Sequence, residues 1–347
     1  MVNSTLTEGL GIPAIEISRL EALAILDRAI VPVIDEYTPQ TWPIGAAMLQ
    51  FPSTTPRGGT VRDAGPDYWA AQFQRIKREG FDAVELPSNW LPIGEMDDNE
   101  NADLVGALAD VDLALVATSV VRRSIIDPTD ADANLAATHR AIDAAVLVGS
   151  PLVCLGLHEA LLPSQTSLPW FWTVAGPTNP ADRGLWDRAV GLYQELASHA
   201  ADVGVDLSLE LYEGSFLGNC DTAVAFIHDI GRDNVGLNPD LGNLIRAQEP
   251  IEPWEAMAVK VLPHANYWHV KNYARAENPA AGVYLTTPTP LANGLIDYRK
   301  AIKFAIASGF RGAFLAENYG GDGLSVSAEN ARYLRRILAD ALTIDAV

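Results

Sequence analysis

Apolar side chains stand at every second position in the stretch VDLSLELYEG, at Val205, Leu207, Leu209 and Leu211. That is the period of a pleated strand, whose side chains alternate between two faces. The run closes on Glu210, Tyr212 and Glu213 before Gly214 breaks it. Seven further strand candidates follow the same logic: Ile44–Phe51, Ala83–Leu86, Leu113–Ser119, Leu152–Leu157, Val235–Pro239, Tyr267–Asn272 and Ala313–Asn318. Helix-period segments separate them, over Asp67–Glu79, Asn101–Ala109, Asp130–Val148, Ala181–Val203, Asp221–Ile230, Pro253–Val261 and Ile296–Ala307, and Ser327–Ala341 closes the set. Gly80, Gly149, Gly204 and Gly309 stand just before a new strand, the signal that ends a helix. Strict alternation of strand and helix implies a parallel sheet, and eight such units imply a closed (β/α)8 TIM barrel of the α/β class. The rival, an open doubly wound sheet, normally carries a glycine-rich phosphate turn after its first strand. Arg57-Gly58-Gly59 is no such fingerprint.

The repeat occupies residues 44–347, read as one catalytic domain, and leaves residues 1–43 as an N-terminal arm. Within the arm, Ser18 to Ala29 has the pattern of an amphipathic helix with Ser18 as its N-cap, and Pro32, Pro39 and Pro43 make the remainder irregular. The arm is expected to pack outside the barrel or on a partner. Three connections at the carboxyl ends of strands exceed what joining requires: Pro52–Pro66, Glu159–Pro180 and Tyr273–Asn293. The second carries Trp170, Phe171 and Trp172 in a row. Trp170 and Trp172 are candidates for stacking on a sugar or aromatic ring, against the alternative that they pack on the barrel rim. The third is expected to be a lid or an interface loop.

Composition narrows the function. With 347 residues the chain is long for one domain, but barrels are the usual exception. No run of about 18 apolar residues exists to span a membrane. The N-terminus lacks the basic-then-apolar order of a signal peptide. Two cysteines, Cys154 and Cys220, make neither a disulfide framework nor a ligand set, so reduced thiols and a cytoplasmic location are expected. A formal charge of −20 repels a phosphate backbone and argues against nucleic acid as partner.

Four consecutive strands end in chemistry: Glu210 on the fifth, Asp240 on the sixth, His269 on the seventh and Glu317 on the eighth. Carboxyl ends of barrel strands face the mouth, where active sites are built. One glutamate at a strand end is ordinarily a solvated charge. Three carboxylates converging without a cation would repel one another. Together with one imidazole they form an oxygen-rich set suited to Mn²⁺, with Mg²⁺ or Co²⁺ as alternatives. His158 ends the fourth strand and faces the same mouth as a candidate base, since its intrinsic pKa suits proton abstraction. Glu210 and Glu317 are the alternative proton carriers. Lys271 shares the strand face of His269 and is a candidate for binding substrate hydroxyls. Glu85, ending the second strand, is a candidate sugar ligand or a rim ion pair.

Glu210 in LSLELYEG, Asp240 in LNPDLGN, His269 in YWHVKNY and Glu317 in FLAENYGG resemble the metal ligands of the xylose isomerase-like barrels. The resemblance runs from Ile44 to Leu342 and implies sugar isomerases, ketose 3-epimerases, dehydratases or an endonuclease branch. Ketose 3-epimerases carry a histidine three residues after the sixth-strand aspartate; here that position is Asn243. They also carry an arginine shortly after the fifth-strand glutamate, where this chain reads Gly214-Ser-Phe-Leu-Gly218. The acidic charge does not fit the endonuclease branch. The long aromatic loop, His158 and the arm resemble the large (α) subunit of bacterial C-glycoside deglycosidases. That likeness implies a metal-dependent lyase acting on 3-oxo-C-glycosides, with proton abstraction at C2 and β-elimination of the aglycone. It also implies a hetero-oligomer with a small β subunit. The alternatives kept are a metal-dependent sugar isomerase or epimerase, and a non-catalytic sugar-binding barrel.

Overall fold

The computed structural model describes residues 2–344. Its strands are β1 (Ile44–Ala47), β2 (Ala83–Pro87), β3 (Ala114–Ser119), β4 (Leu152–Leu155), β5 (Asp206–Glu210), β6 (Val235–Asn238), β7 (Trp268–Val270), β8 (Asn272–Asn278), β9 (Val283–Thr289) and β10 (Phe314–Ala316). Its helices are α1 (Val2–Leu10), α2 (Arg19–Asp27), α3 (Val61–Arg78), α4 (Asp98–Ala109), α5 (Ala131–Val148), α6 (Pro163–Thr166), α7 (Arg183–Asp202), α8 (Cys220–Ile230), α9 (Leu241–Ile245), α10 (Trp254–Val261), α11 (Tyr298–Ala307) and α12 (Gly323–Ile344). Eight strands pair in parallel in the order β6-β5-β4-β3-β2-β1-β10-β7, a nearly closed TIM barrel. No described helix is long and apolar enough to cross a membrane.

The seam lies between β6 and β7. A single bridge, Leu237 to Ala265, replaces a ladder there, and the Asn238 Oδ1 accepts the His269 backbone N–H at 2.8 Å. A side chain therefore fixes the strand that carries one of the candidate ligands. Most barrel strand residues are buried, because helices cover the sheet outside and side chains fill it inside. The pairing of β2 with β3 shifts register between Val84 and Glu85, an irregularity of the kind that re-aims a side chain near a site.

Strands are shorter than the apolar runs suggest. Ile44–Phe51 stops pairing at Ala47 and coils into a 3-10 turn over Met48–Gln50. The Tyr273–Asn293 segment, expected as a loop, is largely an antiparallel hairpin, β8 with β9, paired from Asn272–Thr289 to Asn278–Val283. It takes over Asn272, so the seventh barrel strand ends at Val270. The arm holds α1 and α2. Ser18 caps α2 in a reciprocal box with Glu21. The arm is tied to the barrel helices, with Arg19 Nε 2.9 Å from Glu255 Oε1 and the Ile15 N–H donating to Asp221 Oδ1 at 3.2 Å. Trp42, fully buried, donates from its ring to the Gly312 carbonyl at 2.9 Å.

Candidate metal centre and its two chambers

Glu210 is the last residue of β5, Asp240 caps the N-terminus of α9, His269 lies in β7 and Glu317 follows β10. Since β10 neighbours β7 and the seam joins β7 to β6, all four share one arc of the mouth. Glu210, Asp240 and His269 each offer a ligand atom within 4.8 Å of the others. Glu317 stands at the edge of this triad, with its Oε2 3.8 Å from His269 Nδ1; Glu210 Oε1 is 3.6 Å from the same nitrogen. Lys271 does not point at open space. Its Nζ lies 2.7 Å from Asp240 Oδ2 and 2.8 Å from Glu317 Oε2. Asn243 donates to Glu210 Oε1 at 3.0 Å and to Asp240 Oδ2 at 3.1 Å. It thereby braces two candidate ligands against each other.

Among the described residues, one buried atom on each of three candidate ligands has no hydrogen-bond partner, Asp240 Oδ1, His269 Nδ1 and Glu317 Oε1, and neither has the Oδ1 of Asn243. Buried polar atoms are nearly always satisfied, so three orphans on three candidate ligands are atoms that a bound cation would satisfy. The donors are carboxylate oxygens plus one imidazole, which fits a hard or borderline divalent cation. Glu85, in turn, accepts from Tyr267 Oη at 2.6 Å and faces His269 Nε2 at 2.5 Å. A carboxylate on the far nitrogen is the usual device for orienting a metal-binding imidazole.

Electrostatics follow from that packing. Burial opposes a charge on His269, but Glu85 and Glu210 outweigh it and hold the imidazole well above its ordinary pKa. Burial likewise opposes charge on Glu210, and the nearby His269, with His158 and Lys271, outweighs it, so Glu210 is held down. Asp240 goes the other way. Burial and the neighbouring Glu317 and Glu210 outweigh Lys271 and push it up to about 7.

His158 follows β4, the neighbour of the strand that ends in Glu210. Its ring stacks on Tyr212, with centroids 4.3 Å apart and planes at 20°. It also folds back against the chain: a Cβ placed on Gly156 would lie 2.5 Å from His158 Nδ1, so that glycine is required by close approach. Burial, reinforced by Arg122, Arg246 and Lys271 against the pull of Glu210, lowers its pKa to about 4. The near-neutral value expected from the free side chain is thus corrected downward, and His158 is neutral at physiological pH.

Two chambers meet at this residue. An inner cavity of about 240 Å³ is lined by Glu210, His269, Glu317 and Glu85, and an outer one of about 600 Å³ lies under the loop after β4. Arg122, His158, Leu161 and Tyr212 belong to both walls. Trp172 lines the outer chamber but is buried, donating from its ring to Thr286 Oγ1 at 3.3 Å. Trp170 stacks on Trp172 at 6.0 Å and lies near Gly320. Both rings thus pack on the rim, with Trp172 also in the wall of the outer chamber. Their anchor is Arg246, fully buried, paired with Glu213 at 2.7 Å and surrounded by the rings of Phe171, Trp172, Tyr212 and Tyr319.

Sequence reasoning passed over Arg122 and Arg246. Arg122 has φ of +54°, a left-handed conformation that is rare outside glycine. Its guanidinium donates to Tyr212 Oη at 2.7 Å and to the Glu159 carbonyl at 3.2 Å. Neither arginine lies in a periodic segment with a matching partner nearby in sequence, so no local signal distinguished them.

The sequence profile of the family described as xylose isomerase-like TIM barrel matches residues 73–337. Among curated proteins no sequence matches the chain. Among solved structures, a xylose isomerase-like TIM barrel protein from Mycobacterium smegmatis, in complex with magnesium, is 42% identical, with 88% of this chain and 100% of that one covered and a TM-score of 0.84. A mannonate dehydratase from Streptococcus suis is 16% identical, covering 79% of this chain and 90% of that one, with a TM-score of 0.60. A 3-keto-D-glucoside 4-epimerase from E. coli is 15% identical, covering 85% and 100%, with a TM-score of 0.59. The last two show the shared fold alone.

Proposed function

The chain belongs to the xylose isomerase-like TIM barrels, whose members include sugar isomerases, epimerases and dehydratases, and on that premise we propose that it is a metal-dependent lyase cleaving 3-oxo-C-glycosides. One observation carries the reading: a buried imidazole, His158, stands where a small chamber beside the candidate metal ligands meets a larger one. A sugar ring suits the inner chamber and an aglycone the outer.

Glu210, Asp240, His269 and Glu317 would hold the cation, Mn²⁺ or Mg²⁺, and Glu85 would orient His269. When bound, the cation supplies Lewis-acid stabilisation of negative charge developing on a substrate oxygen. His158 takes the proton from C2, and the C–H electron pair moves toward the 3-carbonyl. The carbonyl then re-forms, a C1–C2 double bond appears, and the C1–aglycone pair leaves with the aglycone, which takes up a proton. A positioned base of this kind contributes about 10²–10⁴-fold. Lys271, held between Asp240 and Glu317, would contribute charge balance to the ligand cluster. Arg122 would orient substrate oxygens at the junction.

The test is metal analysis followed by incubation with a 3-oxo-C-glycoside and identification of products. Freed aglycone supports the lyase. An isomeric sugar with the glycoside intact would transfer the chemistry to Glu210 and Glu317 and make the chain an epimerase. Full ligand affinity with no product at any metal loading would make it a binding barrel. We also propose a smaller second chain that contacts the arm and the hairpin, where Leu20, Ile30, Val33 and Leu285 are exposed. A chain that is monomeric and fully active alone by light scattering and assay would remove that proposal.

A further inference from the structure

Two histidines far from the barrel mouth face each other across neighbouring helices. His139 on α5 and His199 on α7 bring their Nδ1 atoms within 2.8 Å. Each far nitrogen meets a carboxylate on the opposite helix: His139 Nε2 lies 3.0 Å from Glu195 Oε1, and His199 Nε2 lies 2.8 Å from Asp143 Oδ1. The arrangement is nearly two-fold. Each helix supplies a histidine and an acid four residues apart, and the bonds cross between helices. Both imidazole side chains are about a quarter exposed, at 28% and 25%, so solvent ions reach them.

We propose that His139 and His199 form a second metal site, a bis-imidazole clamp for a borderline divalent transition ion such as Cu²⁺ or Zn²⁺. Each carboxylate accepts the Nε2 proton, which leaves Nδ1 as the nitrogen with a lone pair to offer. In the metal-free state the two Nδ1 atoms can touch only if one proton lies between them. A metal ion displaces that proton and sits off the line between the two nitrogens. Two nitrogens about 2.0 Å from an ion and at right angles are about 2.8 Å apart, the cis spacing of a square-planar Cu²⁺ site, and a small opening of the helices suits tetrahedral Zn²⁺. Water fills the remaining positions. Mg²⁺, which prefers oxygen, is excluded, so this site differs in kind from the barrel cluster. The bound ion clips α5 to α7, the two helices that flank β4, the strand leading into His158.

The experiment is titration of the full chain with Cu²⁺, followed by calorimetry and electron paramagnetic resonance, in wild type and in the His139→Gln and His199→Gln variants. The barrel cluster offers one imidazole, the clamp two, so the nitrogen hyperfine pattern separates them. The wild type should bind one equivalent more than either variant, and that equivalent should carry two-nitrogen coupling. Equal stoichiometry in all three proteins, or an extra equivalent with coupling to one nitrogen or none, overturns the proposal. Glu195→Gln and Asp143→Asn keep both imidazoles and should weaken the extra equivalent about tenfold or more. Unchanged affinity in both would overturn the carboxylate-oriented clamp.

Discussion

The mouth of the barrel has two arcs, and each buries one histidine. His269 and His158 are 5% and 6% exposed, so burial alone cannot distinguish them. Yet one is held well above the ordinary imidazole pKa and the other is lowered to about 4. The difference lies in the neighbours. His269 sits between Glu85 and Glu210, so burial's cost is outweighed by two carboxylates. His158 lies on the face of Tyr212 and the backbone of Gly156, and of the charges near it Arg122, Arg246 and Lys271 are positive. An arc rich in acids attracts cations. Around His158 burial and three positive charges outweigh the single pull of Glu210, and the imidazole is lowered instead. One mouth thus holds two buried histidines that its charges push in opposite directions.

Destroying the acidic arc should have the largest effect. Asp240→Ala removes a fully buried candidate ligand, leaves Lys271 paired with Glu317 alone and leaves Asn243 with one partner fewer. Metal content by elemental analysis should fall, and turnover should drop by about 10³-fold or more, the share of several kcal/mol that a Lewis acid supplies. Removing the base on the other arc comes next. His158→Gln should leave metal content and substrate affinity intact while turnover falls about 10²–10⁴-fold. The limb that His158 sets in the wild-type profile should fall near 4, where protonation blocks the lone pair, and not near neutrality. An acid limb at pH 6–7 that disappears in the variant would mean an ordinary imidazole and would undo the contrast. Glu85→Gln sharpens the comparison from inside the acidic arc, since it leaves every ligand in place. Loss of the orienting carboxylate should weaken metal binding about 10–100-fold, measured by competitive chelation.

The acidic arc was legible in the sequence and the other arc largely was not. Glu210, Asp240, His269 and Glu317 fall at the ends of period-two runs, and a parallel barrel turns such ends toward one mouth. The barrel itself followed from alternating periods and helix-ending glycines. Glu85 was visible as a strand end, but its role depends on His269, a partner 184 residues away. Trp172 carries no mark of burial in its own loop. It is buried because Arg246, 74 positions on, offers a cation inside the rim. Arg122 and Arg123 are indistinguishable as neighbours in VVRRS, and only the left-handed backbone at Arg122 sends it to Tyr212 while Arg123 pairs with Glu95. The hairpin escaped because Ala, Asn and Pro dilute its alternation. Partners distant in sequence decide these features, whereas periodicity reports only on near ones.

The smallest effect should come from the contact between the arcs' shared wall and the base. Tyr212→Phe keeps the ring that stacks on His158 and deletes the hydroxyl that accepts from Arg122 at 2.7 Å. Arg122 then retains the Glu159 carbonyl and its place over the Phe171 ring. Its left-handed backbone costs about 1–3 kcal/mol, which the surroundings must offset, so losing one tether loosens a strained residue. A hydrogen bond with one charged partner is worth about 1.5–3 kcal/mol net, and the freed guanidinium recovers part of it from water. The expected loss in kcat/KM is therefore about 3- to 10-fold, with most of it in KM if Arg122 orients substrate oxygens. The acid limb should stay near 4, because Arg122 remains close and the ring that buries His158 is unchanged. A limb that rises toward neutrality in this variant would show that the Arg122–Tyr212 bond, and not burial, holds the imidazole neutral, and the contrast between the arcs would then rest on one arginine.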